Sequence, residues 1–311
     1  MERIEIPGGA TYTPLSLSDI FVSAPTVSRV LLGATLPGQI VATAAMGMYV
    51  GSSARDWAAR RNVRPVSFQA AFGADVFTLE AMPKLARHAE VRLLGHAMNR
   101  DYTDERVPRD DLARRVDHHL TDYIAGITGQ QIVTSTQVRS FNLAKVIMPF
   151  AQGTCDVISG DVAIFRDGGL FEPHIIAHEF SHRKGYLKEL HAQALAYLAM
   201  RNSDDPVLVQ GARAERLSRQ LAVLADDDPD RFDELLASAA LRPEVFEELS
   251  CTRPSGSPEG PVSRGMRALY DKRMKLSGQN GISDYDVGFT NFLWTFSRSE
   301  TASQPPQHAR I

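Results

Sequence analysis

The sequence predicts a mainly helical α+β domain, with one histidine-rich helix beside a small mixed sheet and further helices C-terminal to it. Three observations carry this expectation. Helical periodicity occupies most of the chain on both sides of residues 130–169. Those residues are the one stretch rich in β-branched side chains and punctuated by glycine. Directly after them, residues 174–200 read HIIAHEFSHRKGYLKELHAQALAYLAM, a strongly helical run holding four of the nine histidines of the chain.

The chain has 311 residues, 43% of them hydrophobic, enough for one large globular core. The net charge of −3 implies no basic face, so nucleic acid is excluded as a partner. Cys155 and Cys251 are expected to be reduced and inert, since two distant thiols make no disulfide framework and no Cys-type zinc site.

Residues 1–55 form an N-terminal segment. MERIEIPGGATY lacks a basic stretch followed by an apolar one, so it is not read as a secretory signal. Val30 to Val50 carries no charge and is long enough to cross a bilayer, yet it contains Pro37, Gly38 and Gln39. Its mean hydropathy of roughly 1.4 per residue falls just below the usual threshold for a spanning helix. Two readings stand. One is a buried hairpin bent at Leu36-Pro37-Gly38, or an interfacial helix. The other is a true span, with Arg55, Arg60, Arg61 and Arg64 placing the following domain on the cytoplasmic side. The expected location is the cytoplasm, with membrane contact through 30–50.

Residues 56–296 form the expected catalytic domain. Ala54 to Gly126 reads mostly as helices. Arg109 to Ile127 puts Leu112, Val116, Leu120 and Ile124 on one stripe, and Gly126 stops it. His118 and His119 are adjacent, hence about 100° apart on the helix, and cannot easily grip one ion together. Asp161 to Phe165 is a short strand closing at Asp167-Gly168-Gly169. Val207 to Leu224 and Arg231 to Leu249 are amphipathic helices. Cys251 to Ser263 is a loop by composition, and Arg264 to Leu276 a further helix. An apolar run ends at Phe296, and residues 297–311 are expected to be a disordered tail.

His178-Glu179-Phe180-Ser181-His182 is H-E-x-x-H. Residues four apart share a helix face, so His178 and His182 present two imidazoles to one point. Glu179 lies on the next flank, near enough to reach a metal-bound water without binding the metal. That is the zincin-like arrangement of two nitrogen ligands and a carboxylate base. A catalytic zinc site needs a third protein ligand and an open position. Glu189 is the first candidate, His191 the alternative. Gln193 shares a face with Glu189 and is placed to hydrogen-bond a ligand imidazole. His174, one turn before His178, reads as a helix-start residue or as a partner of the ligands. Tyr285, in a Gly-flanked loop, is the candidate oxyanion donor, against an ordinary loop aromatic.

The motif pair H-E-x-x-H and E-x-x-A-[D/N/Q] resembles the gluzincin zinc peptidases, whose ligand glutamate follows on a second helix. The stretch is more closely similar to the bacterial family known as domain of unknown function 3810. The matching positions are His178, Glu179, His182, Gly185, Tyr186, Glu189, Ala192, Ala196, Tyr197 and Leu198. The likeness extends weakly from Trp57 to Trp294, and Tyr270-Asp271 and Ser283-Asp284-Tyr285 are similar to the closing segment of the family. Ser181, Arg183, His191 and Gln193 depart from its usual residues. The resemblance implies one Zn²⁺ per chain and hydrolysis, and membrane helices ahead of the metal domain.

The expected function is therefore a zinc metallohydrolase, most simply a peptidase acting through Glu179. One alternative is a zinc enzyme acting on a small metabolite. Another is a non-catalytic metal-binding scaffold, which a two-His, one-Glu set with an adjacent free carboxylate fits poorly.

Overall fold

The computed structural model describes residues 1–6, 35–64, 71–72, 79–140, 152–155, 160–165, 167–226, 228, 230–252 and 261–299. The elements run β1 (Glu2–Glu5), α1 (Leu36–Arg60), α2 (Lys84–Arg100), α3 (Arg109–Thr128), β2 (Gln130–Val133), β3 (Arg139–Ser140), β4 (Gly153–Cys155) and β5 (Val162–Ile164). Then follow a 3₁₀ turn (Gly169–Phe171), α4 (Glu172–Arg183), α5 (Glu189–Arg201), α6 (Pro206–Leu224), α7 (Arg231–Ser238), α8 (Pro243–Ser250) and α9 (Pro261–Leu276). A second 3₁₀ turn (Ile282–Tyr285) leads into α10 (Val287–Arg298). The predicted class, α+β and mainly helical, holds.

The strands make two small sheets. β1 pairs parallel with β2, with Ile4 opposite Ile132. β3 and β5 are parallel, and β4 runs antiparallel to β5, giving a mixed sheet of order β3-β5-β4. All three residues of β5 are buried, as its run of Val, Ala and Ile demands.

α4 is buried along its whole length, and α5 everywhere from Glu189 to Met200 except His191. A helix covered on all sides belongs at the centre of a core. α3, α5 and α6 pack around α4, β4 and β5 lie against it, and α10 packs on α5 and α6. Gly95 lets α2 lie close to the end of α7, since a Cβ there would collide with the carbonyl oxygen of Ala239.

Several expectations change. The apolar stretch does not form a buried hairpin among the described residues. α1 is one continuous helix that starts at Leu36 and runs through residue 55. Pro37 stands in its first turn, where a missing N–H costs nothing, so it opens the helix instead of bending one. Ile40, Val41, Met48 and Val50 are exposed. No helix among the described residues is long and apolar enough to cross a membrane. Residues 30–34 of that stretch lie outside the described residues.

Arg231 to Leu249 is two helices rather than one. Pro243 disfavours α geometry at Arg242, and the chain turns through Ala240 at φ 49°. α10 reaches Arg298, two residues into the expected tail, of which residues 300–311 lie outside the described residues.

Candidate metal centre

α4 and α5 form a tight helical hairpin that builds the site. Gly185 ends the first helix at φ 102°, a conformation natural to glycine alone. The turn aims the Tyr186 carbonyl back at α4, where it accepts a 2.8 Å hydrogen bond from His182 Nδ1. This bond fixes the tautomer of the neutral imidazole, whose Nε2 then carries the lone pair. Four residues after Gly185, Glu189 opens α5 with its N–H held by Gln279 Oε1 at 2.7 Å.

Three side chains converge. His178 Nε2 and His182 Nε2 are 3.2 Å apart, and Glu189 Oε2 lies 3.2 Å from the first and 3.1 Å from the second. Tetrahedral coordination at about 2.0–2.1 Å spaces ligand atoms roughly 3.3–3.4 Å apart, close to this triangle. Among the described residues, this is the group of His, Cys, Asp and Glu side chains able to hold a metal ion. His191 is outside it. Cys155 and Cys251, half-buried and exposed, form no disulfide among the described residues, and neither joins it.

The electrostatics are those of a cluster in which a proton stands where a cation fits. Burial would lower the His182 imidazole, but Glu189 and Glu179 outweigh it and lift the group to about 9. Burial would raise the Glu189 carboxyl, but His182 and His178 hold it well below the usual carboxylate range. Glu179 sits beside the triangle, buried, with its carboxyl pushed up by desolvation more than the two histidines lower it. The backbone of Cys155 hydrogen-bonds this carboxylate. Gly153 leaves room beside it, since a Cβ there would crowd Glu179 Oε1 at 3.1 Å.

Two phenols complete the group. Tyr285 donates to Glu189 Oε2 at 2.6 Å and Tyr270 to Glu189 Oε1 at 2.6 Å, with 3.2 Å between the two hydroxyls. Burial, followed by the negative charge of Glu189, raises both phenols above the ordinary tyrosine value. Tyr285 therefore lies within hydrogen-bond reach of the converging group. In the sequence, Tyr270 stands out only as part of the closing segment that is similar to the family. Its position on α9, eighty-one residues from Glu189, gave no local signal of its role.

Gln193 is a correction. Its amide donates 2.7 Å to Glu215 Oε1, and Glu215 lies on α6. The carboxylate of Glu215 draws the amide away from the ligand imidazoles, and His178 Nδ1 is left buried without a hydrogen-bond partner. His174 stands in the first turn of α4, as the helix-start reading expects. It is buried against Glu215 at 3.8 Å. His118 and His119 do not converge on the centre, and instead lie near Asp122 and Asp204.

A cavity of about 710 Å³ opens over the triangle, lined by β4 on one side, α9 on another and the Ile282–Tyr285 turn on a third. Among the described residues β4 stands at the edge of its sheet, so one row of its main-chain groups faces away from β5.

No curated protein and no solved structure matches the chain. Residues 170–293 match the model of the family described as "Protein of unknown function (DUF3810)", a span that takes in His174, the three converging side chains, Glu179 and both tyrosines.

Proposed function

We propose that this protein is a zinc-dependent metallohydrolase of the gluzincin type, and most simply a peptidase. The observation that carries the reading is the triangle of His178 Nε2, His182 Nε2 and Glu189 Oε2, with a second buried carboxylate, Glu179, beside it. The donor set fits the ion: two imidazole nitrogens and one carboxylate oxygen are the protein ligands of a catalytic zinc site that keeps a vertex for solvent. A bound zinc ion would supply Lewis acidity and a water acidified toward neutrality.

The rest is done by the chain itself. Glu179 accepts the proton of the attacking water and passes it to the leaving amine, and its raised pKa suits a group that must do both near neutral pH. The Cys155 backbone orients that carboxylate, and Gly153 leaves it room. Tyr285 and Tyr270, once their hydroxyls turn from Glu189, donate hydrogen bonds to the developing oxyanion. β4 offers an open main-chain edge to an extended peptide along the cavity wall.

A second reading has one observation in its favour. A cavity of about 710 Å³, bounded by α9, also suits a small metabolite. A digest of an unbiased peptide library separates the two, with metal content measured on the same sample. The peptidase reading expects cleavage and one zinc per chain, with cleavage lost and zinc kept in Glu179→Gln. Undiminished cleavage by that variant would remove Glu179 as the base.

A further inference from the structure

The cavity continues past His178 to a second polar group. His174 lies one turn earlier on α4, is 2% exposed, and neither ring nitrogen makes a well-formed hydrogen bond, the Gln193 amide and Glu215 being its polar neighbours. Glu215 Oε1 lies 3.8 Å from its Nε2. That oxygen already accepts from Gln193 Nε2 and from Arg219 Nε, each at 2.7 Å, and Arg219 also pairs with Asp286 at 2.8 Å. These contacts all fall on Oε1, so Oε2 of Glu215 remains an acceptor. All five side chains line the cavity that covers the metal ligands.

A buried imidazole without a well-formed hydrogen bond is costly unless something else meets it. The surroundings decide what that something is. Burial pushes the His174 imidazole down to about 4, so it is neutral. Burial would raise Glu215, but Arg219 outweighs it and brings the carboxyl to about 2, so it is ionised. Two carboxylates and one guanidinium leave this end of the cavity with a net negative charge. An anionic ligand would meet an ionised, buried acid. A second metal ion would compete with Arg219, whose cation already sits on the carboxylate oxygen nearest His174. A primary ammonium carries three N–H donors and one positive charge, and it suits both the vacant acceptors and the charge.

We propose that this end of the cavity binds a protonated primary amine of the substrate, with Glu215 Oε2 and a His174 ring nitrogen as its acceptors. The inference rests on the metal-site reading above and names the substrate class for it. His174 and His178 are i,i+4 neighbours, about 5–6 Å apart at Cβ. That spacing puts the amine within about one residue of the bond cut, as in a peptide with a free N-terminus.

The test is calorimetric titration of the zinc-loaded protein with three hydroxamates: glycine hydroxamate, acetohydroxamate and succinic monohydroxamate. The first should bind at least tenfold more tightly than the second. Glu215→Gln should abolish that gap with zinc content unchanged, and His174→Phe should narrow it. Equal affinities in the unmutated protein overturn the subsite while leaving the metal centre standing, and this comparison holds even where a variant fails to fold. A gap that survives in Glu215→Gln also overturns it, since the amine would then be chelating the metal. Tightest binding by the succinic compound overturns it in favour of the arginines at the rim, Arg267 and Arg273. Failure of all three to bind removes the metal centre and the subsite together.

Discussion

Glu189 is the hub of the site at the scale of single residues. One carboxylate collects two imidazoles and two phenols, Oε2 taking His178, His182 and Tyr285 while Oε1 takes Tyr270. In the metal-free protein a proton on His182 balances this charge, with the imidazole titrating at about 9. Metal binding needs the neutral imidazole. At pH 7 to 8 each zinc ion should therefore displace about one proton, and log affinity should rise by about one per pH unit until it levels near 9. Calorimetry in buffers of different ionisation enthalpy measures the proton count, and a pH-independent affinity would refute the linkage. The phenols make a separate prediction. Tyr285→Phe removes one donor to the oxyanion and nothing from the ligand set. It should lower kcat by about 10²-fold with KM and zinc content nearly unchanged. An unchanged kcat would return Tyr285 to the role of an ordinary loop aromatic.

The hairpin of α4 and α5 is held in place, at the scale of elements, by contacts outside the site. Lys184, fully buried just beyond α4, meets Asp117 at 2.7 Å, Thr121 Oγ1 at 2.9 Å and the Ile132 carbonyl at 2.9 Å. It thus ties the end of the histidine helix to α3 and β2. Lys184→Met keeps most of the volume but leaves Asp117 without its cation, and it should destabilise the fold by about 3–5 kcal/mol in denaturant titration. A loss below about 1 kcal/mol would mean that Asp117 relaxes to solvent. Gly95→Ala should push α2 off the end of α7, because the obstacle is a backbone carbonyl that cannot rotate away. A cost of about 1–3 kcal/mol is expected from the same measurement. How legible each element was follows from the range of its contacts. α3 was readable from its stripe of Leu112, Val116, Leu120 and Ile124, and α4 with its ligands from i,i+4 spacing, because these are local rules. β1 was not, since its partner β2 lies 128 residues away and four residues carry little pattern. The same distance effect hid Tyr270 above Glu189, and the Glu215 carboxylate that claims both Gln193 and His174.

The molecule as a whole couples pH to stability through these buried groups. His174 titrates at about 4 when folded, below its ordinary 6.5, so the unfolded chain binds the extra proton between those values and stability falls as pH drops through them. Glu215 at about 2 adds stability above its ordinary 4.5, lost on further acidification. His182 acts in the opposite sense: raised to about 9, its contribution is complete below 6.5 and disappears as pH climbs through 9. Metal-free protein should therefore melt lower on both sides of a mildly acidic to neutral optimum, and His174→Phe should flatten the decline between 6.5 and 4. Thermal melts across pH 4 to 10 check both statements, and a melting temperature still rising at pH 9 would contradict the first. The polar cluster that sets this profile lies in the same buried middle of the fold as the three converging side chains. Whether those three hold an ion is decided most directly by X-ray absorption at the zinc edge of the purified, zinc-loaded protein. The account predicts one zinc per chain in a sulfur-free shell of nitrogen and oxygen at about 2.0–2.1 Å, absent from Glu189→Ala. No stoichiometric zinc, or a zinc–sulfur shell at about 2.3 Å from Cys155 or Cys251, would contradict it.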